Sequence, residues 1–163
     1  MEWEIDVIHL FVSDGHNYRG RHGKGSLEHK IADSDLIECV SGRGIRGDRY
    51  FDHKENFKGQ ITFFDYQVYE QVKRKFGLEA LSASVFRRNV LVRGVPLSEL
   101  IGKRFTVDSL EFEGTEEAAP CYWMDEAAAD GVHEFLKGQG GLRARILRSG
   151  DLKKGPSVVS LLP

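Results

Sequence analysis

Apolar positions along this chain come in short runs separated by polar, glycine-rich stretches, and the period within each run assigns it an element. Ile5-Asp6-Val7-Ile8-His9-Leu10-Phe11-Val12 is apolar at most positions and reads as a mostly buried strand. Ser13 to Gly25 is polar and is expected to be a long loop. Ile31 to Val40 holds a second strand, Ile61-Thr62-Phe63-Phe64 a short apolar one, and Asn89-Val90-Leu91-Val92 another. Between the last two, Val68, Tyr69, Val72 and Phe76 recur at three- and four-residue spacing, which predicts a helix from Tyr66 to Phe76 stopped by Gly77.

From Arg104 onward the pattern alternates. Phe105 and Val107, then Leu110 and Phe112, oppose Arg104, Thr106, Glu111 and Glu113, as expected of two half-buried strands joined near Asp108-Ser109. Met124, Ala127, Ala128, Val132, Phe135 and Leu136 line one face of a predicted helix that ends near Gly138. Leu142, Ala144 and Ile146 alternate with Arg143 and Arg145 in a further strand, and Val158-Val159 completes the set. About seven or eight short strands with two clear helices predict a β-barrel carrying helical insertions.

The length of 163 residues suits a single domain, spanning 1–163, with a core that needs no disulfide or metal staple. A net charge of −2 supplies no global attraction for nucleic acid or an acidic membrane, so neither is expected as a partner. Anion binding must come from local arginine clusters. No apolar run approaches the roughly 20 residues needed to cross a bilayer, and Met1-Glu2-Trp3-Glu4 is no secretory leader, so a cytoplasmic location is expected.

Candidate chemistry starts with the two cysteines. Cys39 sits between Glu38 and Val40 in a predicted strand and reads as a packed core thiol. Cys121 follows Pro120 and precedes a predicted helix, whose dipole would favour the anionic sulfur that attacks other sulfur atoms or binds a soft metal. Glu116, Glu117, Asp125 and Glu126 oppose that effect, so the residues alone leave open a reactive thiolate or a small packed side chain. Gly42 to Arg49 alternates glycine with arginine, a pattern suited to a phosphate or to a plain barrel turn. It is not a Walker loop, because the Gly-Lys-Ser/Thr ending is missing. Arg87-Arg88 reads as a phosphate clamp or a sheet rim, and Arg143, Arg145 and Arg148 as a solvated face. His16, His22 and His29, at spacings of six and seven, match no compact zinc pattern. His53 and His133 stand alone.

Three blocks together resemble the MOSC family, the C-terminal domain of molybdenum-cofactor sulfurases. Gly44-Ile45-Arg46-Gly47-Asp48-Arg49-Tyr50 is similar to the family's Gly-Ile/Leu-x-Gly-Asp-Arg-His block. Arg87-Arg88-Asn89-Val90-Leu91-Val92, followed by Leu97-Ser98-Glu99-Leu100-Ile101-Gly102, resembles its Arg-x-Asn-Ile-Val-Val segment and Leu-x-x-Leu-x-Gly. Phe105, Glu113-Gly114-Thr115 and Pro120-Cys121 follow the order of its strand pair and hallmark cysteine. Tyr50 stands in place of the usual histidine, and Gly155-Pro156 in place of a common Gly-Asp turn.

The resemblance implies a mainly β fold, a MOSC-type β-barrel with two or three helical insertions. It implies a protein that handles sulfur or binds the molybdenum cofactor (molybdopterin), with Cys121 as persulfide carrier or molybdenum ligand. Gly47, Asp48 and Arg49 would shape the pocket, and Arg88 and Asn89 would line the anion site. The implied partners are molybdopterin or another small anion, with a pyridoxal-phosphate cysteine desulfurase or an electron-transfer protein. Two alternatives stand beside this reading: a molybdenum-dependent reductase of N-hydroxylated compounds, and a non-catalytic small-anion-binding module. The length leaves no room for the second β-barrel domain of the fused reductases, so the chain is expected to bind cofactor in a shallower cleft, to use a second copy or a partner, or not to bind it at all.

Overall fold

In the computed structural model, which describes residues 1–16 and 29–163, eleven strands and three helices surround two hydrophobic cores. The long loop expected from Ser13 and His22 within it lie largely or wholly in 17–28, outside the described residues. Among the described residues no helix is long and apolar enough to cross a membrane.

The strands are β1 (Glu2–Ser13), β2 (Ile31–Asp33), β3 (Leu36–Val40), β4 (Gly44–Ile45), β5 (Ile61–Asp65), β6 (Val90–Arg93), β7 (Arg104–Val107), β8 (Leu110–Glu117), β9 (Leu142–Arg148), β10 (Gly150–Lys153) and β11 (Gly155–Leu161). Hydrogen bonding runs β11-β7-β8-β9-β5-β6-β1, and β11 also pairs with β1, so these seven strands close on themselves. Closure removes the free edges that would otherwise invite aggregation. Every pairing in the ring is antiparallel except β5–β6. That parallel pair is joined through α1 (Tyr66–Phe76), a crossover that explains why both strands are apolar on both faces. Phe63, Val90 and Val92 enter the barrel, while Phe64 and Leu91 face the helices outside it.

The predicted α1 forms with the expected bounds. Asp65 caps it by accepting from the Gln67 N–H, and Gly77 ends it in the left-handed region at φ 66°. Two other predictions change. Ile31 to Val40 is broken into β2, which extends β1, and β3, which joins β10 and β4 in a separate three-stranded sheet. The helix expected from Met124 to Gly138 is two short pieces, α2 (Trp123–Ala127) and α3 (Val132–Phe135), split where Gly131 turns at φ 97°. The apolar period survives the break because Met124, Val132 and Leu136 all pack into the outer core with α1.

β1 does most to position the site. Its first half closes the barrel against β11, its middle pairs with β6, and its end delivers Ser13 to the barrel mouth. Gly114 in β8 is equally constrained, because a Cβ there would overlap the Leu100 carbonyl oxygen. Gly114→Ala should therefore cost about 3 kcal/mol by overpacking. A thermal melt is expected to fall by roughly 6–12 °C relative to the parent, whereas an unchanged midpoint would mean the Leu100 turn yields freely.

Candidate functional site

The mouth of the barrel holds a cleft of about 460 Å³, inside the common size range of small-molecule sites. Four chain segments build its charged wall: the loop after β4, the turn before β6, the loop after β8, and the start of β9.

The loop after β4 carries Asp48 and Arg49. Gly47, at φ 88° and exposed, allows the turn, and an added Cβ there would meet nothing within 4 Å. Asp48 is sealed from solvent, and its carboxylate binds the loop to its surroundings. Oδ1 accepts from the Ser13 N–H at 3.1 Å and from Arg49 Nη1 at 3.2 Å, and Oδ2 accepts from the Tyr50 N–H at 3.3 Å. Arg49 also donates from Nη2 to the Arg87 carbonyl at 3.0 Å.

The turn before β6 is a 3-10 turn, Ala83–Phe86, closed by Arg87 in the left-handed region at φ 56°. Arg87 donates to Ser13 Oγ at 3.0 Å and to the Gly15 carbonyl at 2.6 Å. Arg88 is 9% exposed and has no carboxylate partner among the described residues. Its guanidinium donates to the carbonyls of Gly140 (3.0 Å), Phe86 (3.4 Å), Ala118 (3.0 Å) and Ala119 (3.3 Å). Burial pushes its pKa down to about 10, so it stays charged at neutral pH; an ionised Cys121 would offset part of that loss, and Arg143 and Arg49 add to it. Asn89 lies behind this wall. It gives its side-chain N–H to the Phe11 carbonyl at 3.0 Å and accepts from Thr62 N and Oγ1 at 3.0 and 3.1 Å. It braces β6 against β5 and β1 and does not line the cleft.

Cys121 does line the cleft. Ala118, fixed by its N–H to the Gly141 carbonyl at 2.9 Å, begins the loop that carries it. Glu117 pins the facing return loop by accepting from the N–H groups of Gly138 at 3.1 Å and Gly140 at 3.3 Å. Gly140 has to be glycine here, because a Cβ would overlap the Ala118 carbonyl oxygen. The thiol is exposed, its sulfur 3.9 Å from the Ala119 carbonyl oxygen. The helix that follows has five residues, short for the expected dipole effect, and Arg88 lines the same cavity as the thiol.

The structure thus brings Arg49, Arg88 and Cys121 to one cavity, with Asp48 as the brace of Arg49 and with Gly47 and Asn89 outside the lining. It adds residues that the sequence reading passed over. Arg143, read as part of a solvated face, enters the wall from β9 and pairs with Glu116 at 3.4 Å. Lys54, Tyr50, His53, Phe57, Tyr122 and Trp123 line it as well. Among the described residues, five of those lining the cleft are Lys or Arg and none is acidic, in a chain whose net charge is −2, so this lining gives the cleft positive potential. Among the described residues no group of three or more His, Cys, Asp or Glu is arranged to hold a metal ion.

The two thiols differ in kind. Cys39 is fully buried in β3, and burial, aided by Asp151 and Glu38, pushes it up to about 12 from 9.0. Iodoacetamide at mildly alkaline pH should modify Cys121 and spare Cys39 until denaturant is added, as peptide mass mapping would show. Between about pH 9 and 12 the unfolded chain releases the Cys39 proton that the native state retains, so stability should fall as pH rises. Denaturant titrations of Cys39→Ala should lack that component of the slope.

A family model described as the MOSC domain matches residues 42–159. The crystal structure of the YuaD protein from Bacillus subtilis aligns with a TM-score of 0.77 at 19% identity, covering 98% of this chain and 96% of that one. YiiM from Escherichia coli aligns at 0.65 with 16% identity, covering 100% of this chain and 70% of its own. YiiM from Geobacillus stearothermophilus aligns at 0.69 with 12% identity, covering 98% and 75%. At such identities the likeness is one of fold. No protein of curated function matches the chain. The matched stretch contains both arginine blocks and Cys121, and on that match the chain belongs to the MOSC domain family.

Proposed function

We propose that the cleft binds a phosphate-bearing molybdenum cofactor, molybdopterin, with Cys121 as its sulfur ligand. One observation carries the reading: an exposed thiol opens onto the same cavity as a buried guanidinium that, among the described residues, is held by backbone carbonyls and no carboxylate. The residues present fit such a group. A phosphate would meet Arg49, Arg88 and Arg143, whose planar forks suit its oxygens. A thiolate suits a soft metal centre, and with most ligands supplied by the pterin a three-residue protein cage is not required.

Bound molybdenum would supply oxygen-atom transfer coupled to two-electron redox chemistry. The chain's own residues hold and orient. Arg88 fixes the Cys121 loop through the Ala118 and Ala119 carbonyls while its charge faces the cavity. Asp48 keeps the Arg49 fork aimed by accepting from Nη1, and Gly47 gives the loop the turn it needs. Asn89 keeps β6 in register beneath both arginines.

The exposure of Cys121 favours a second reading, a persulfide carrier served by a cysteine desulfurase. The Cys121 thiolate would attack the outer sulfur of the donor's persulfide. A new S–S bond forms on Cys121, the donor's S–S bond breaks, and its electron pair leaves with the donor cysteine as thiolate.

Protein made in cells competent for cofactor synthesis should contain molybdenum and release pterin in stoichiometric amounts. Cys121→Ser should lose metal while keeping pterin, and Arg143→Ala should weaken pterin retention about tenfold. A parent protein free of both would end the cofactor reading. For the carrier, mass spectrometry after incubation with a desulfurase should find one added sulfur on the Cys121 peptide. If neither result appears and Cys121→Ala binds inorganic phosphate as the parent does, the cleft is an anion-binding module with an idle thiol.

A further inference from the structure

Beyond the arginines, one face of the cleft is built of rings. Tyr50 and Phe57 pack with centroids 5.2 Å apart at 29°, and His53 meets Phe57 at 4.7 Å and Tyr50 at 5.4 Å. All three line the cavity, and none belongs to either hydrophobic core, so barrel packing does not account for their grouping. Their segment is tied back to the scaffold at two points. Asp52 and Asn56 both take left-handed backbone, at φ 56° and 53°, which short polar side chains tolerate best. Arg43 clamps the Asp52 carboxylate through Nε at 2.8 Å and Nη2 at 2.5 Å, and Arg145 holds the Asn56 carbonyl at 3.3 Å. The Arg49 guanidinium lies 4.9 Å from the Tyr50 ring centre, which joins the ring wall to the anion wall.

We propose that Tyr50, His53 and Phe57 form a subsite for a flat aromatic or heteroaromatic ring bearing an acidic group, with the ring against this wall and the acid toward Arg49 and Arg143. Rings gain from offset-stacked or edge-to-face contact with π-systems beyond what their apolar area gives. A pinned, preorganised wall loses little entropy on binding. The subsite shares Arg49 and Arg143 with the proposed cofactor phosphate, but ring recognition requires no metal, so it is tested independently of molybdenum content.

The test uses metal-free protein and three probes: benzoate, cyclohexanecarboxylate and inorganic phosphate. The two carboxylates share charge and carbon count and differ in flatness. Followed by NMR titration of the aromatic ring signals, benzoate should bind about fivefold more tightly than the saturated acid, and phosphate should displace both. Phe57→Leu should bring that ratio close to one with phosphate affinity unchanged. If the first variant melts early, His53→Leu provides the benzoate-to-cyclohexanecarboxylate ratio without touching the ring that Arg49 overlies. Equal affinities in the parent, or an undiminished ratio in whichever variants fold, would overturn the proposal. Repeating the titration on cofactor-loaded protein separates two sources of such a ring. Retained benzoate binding assigns the subsite to a separate substrate, and its loss assigns it to the cofactor's own ring.

Discussion

Arg88 carries a full charge inside the protein and is surrounded by dipoles in place of a counter-ion, and the geometry of the cleft follows from how those dipoles are arranged. Its four carbonyl partners lie on three separate stretches of chain: its own turn at Phe86, the Cys121 loop at Ala118 and Ala119, and the return loop at Gly140. Removing the guanidinium would leave buried acceptors unpaired, at about 1–3 kcal/mol each. A lysine ammonium would restore the charge without the planar fork that reaches three segments at once. Burial outweighs these contacts and holds the guanidinium below its ordinary pKa. An anion bound in the cavity, as proposed, would complete the compensation, so one residue would both shape the pocket and favour its filling.

Asp48 has the complementary role. A carboxylate fully withdrawn from water is retained only where donors surround it, and its donors come from the end of β1, from its own loop and from the Arg49 side chain. Asn89, bonded to Phe11 and Thr62, ties the same region to β1 and β5. The Gly-Asp-Arg and Arg-Asn blocks, some forty positions apart, are thus two halves of one polar layer across the barrel mouth. Arg49 pairs with Asp48 and Arg143 with Glu116, while the Arg88 guanidinium is met by carbonyls among the described residues.

Much of the scaffold was legible because its signals are local. The alternation in β7, β8 and β9 and the three- and four-residue period in α1 are set by neighbours a few positions away. The break in Ile31 to Val40 was not legible, since two strands assigned to different sheets share one apolar run and only their partners separate them. The predicted helix through Val132 failed at Gly131, whose left-handed turn leaves the apolar period intact. Within the site, Cys121, Arg49 and Arg88 stood out by residue type and block. Arg143 did not, because only the pairing of β9 with β5 and β8 sets it at the cavity, and cross-strand register leaves no mark in a single segment. His53 and Phe57 were hidden for a related reason: irregular turns at Asp52 and Asn56 bring them together, and no period encodes such turns.

The two cysteines show how the fold divides scaffold from chemistry. Cys39 lies on a strand face turned inward, where burial suppresses ionisation far above physiological pH and leaves the sulfur a small apolar filler. Cys121 lies on a loop outside the strands, positioned by the Ala118 and Ala119 carbonyls that Arg88 holds. Barrel closure depends on apolar alternation, which many side chains satisfy, so solved structures only 12–19% identical keep the fold. Cleft chemistry depends on particular side chains set on loops and strand ends. Substitution in one layer therefore leaves the other largely intact, and a barrel shared with distant relatives carries no information about which ligand a given mouth selects. In this chain that choice rests on the guanidinium wall, the ring wall and the thiol that open onto one cavity.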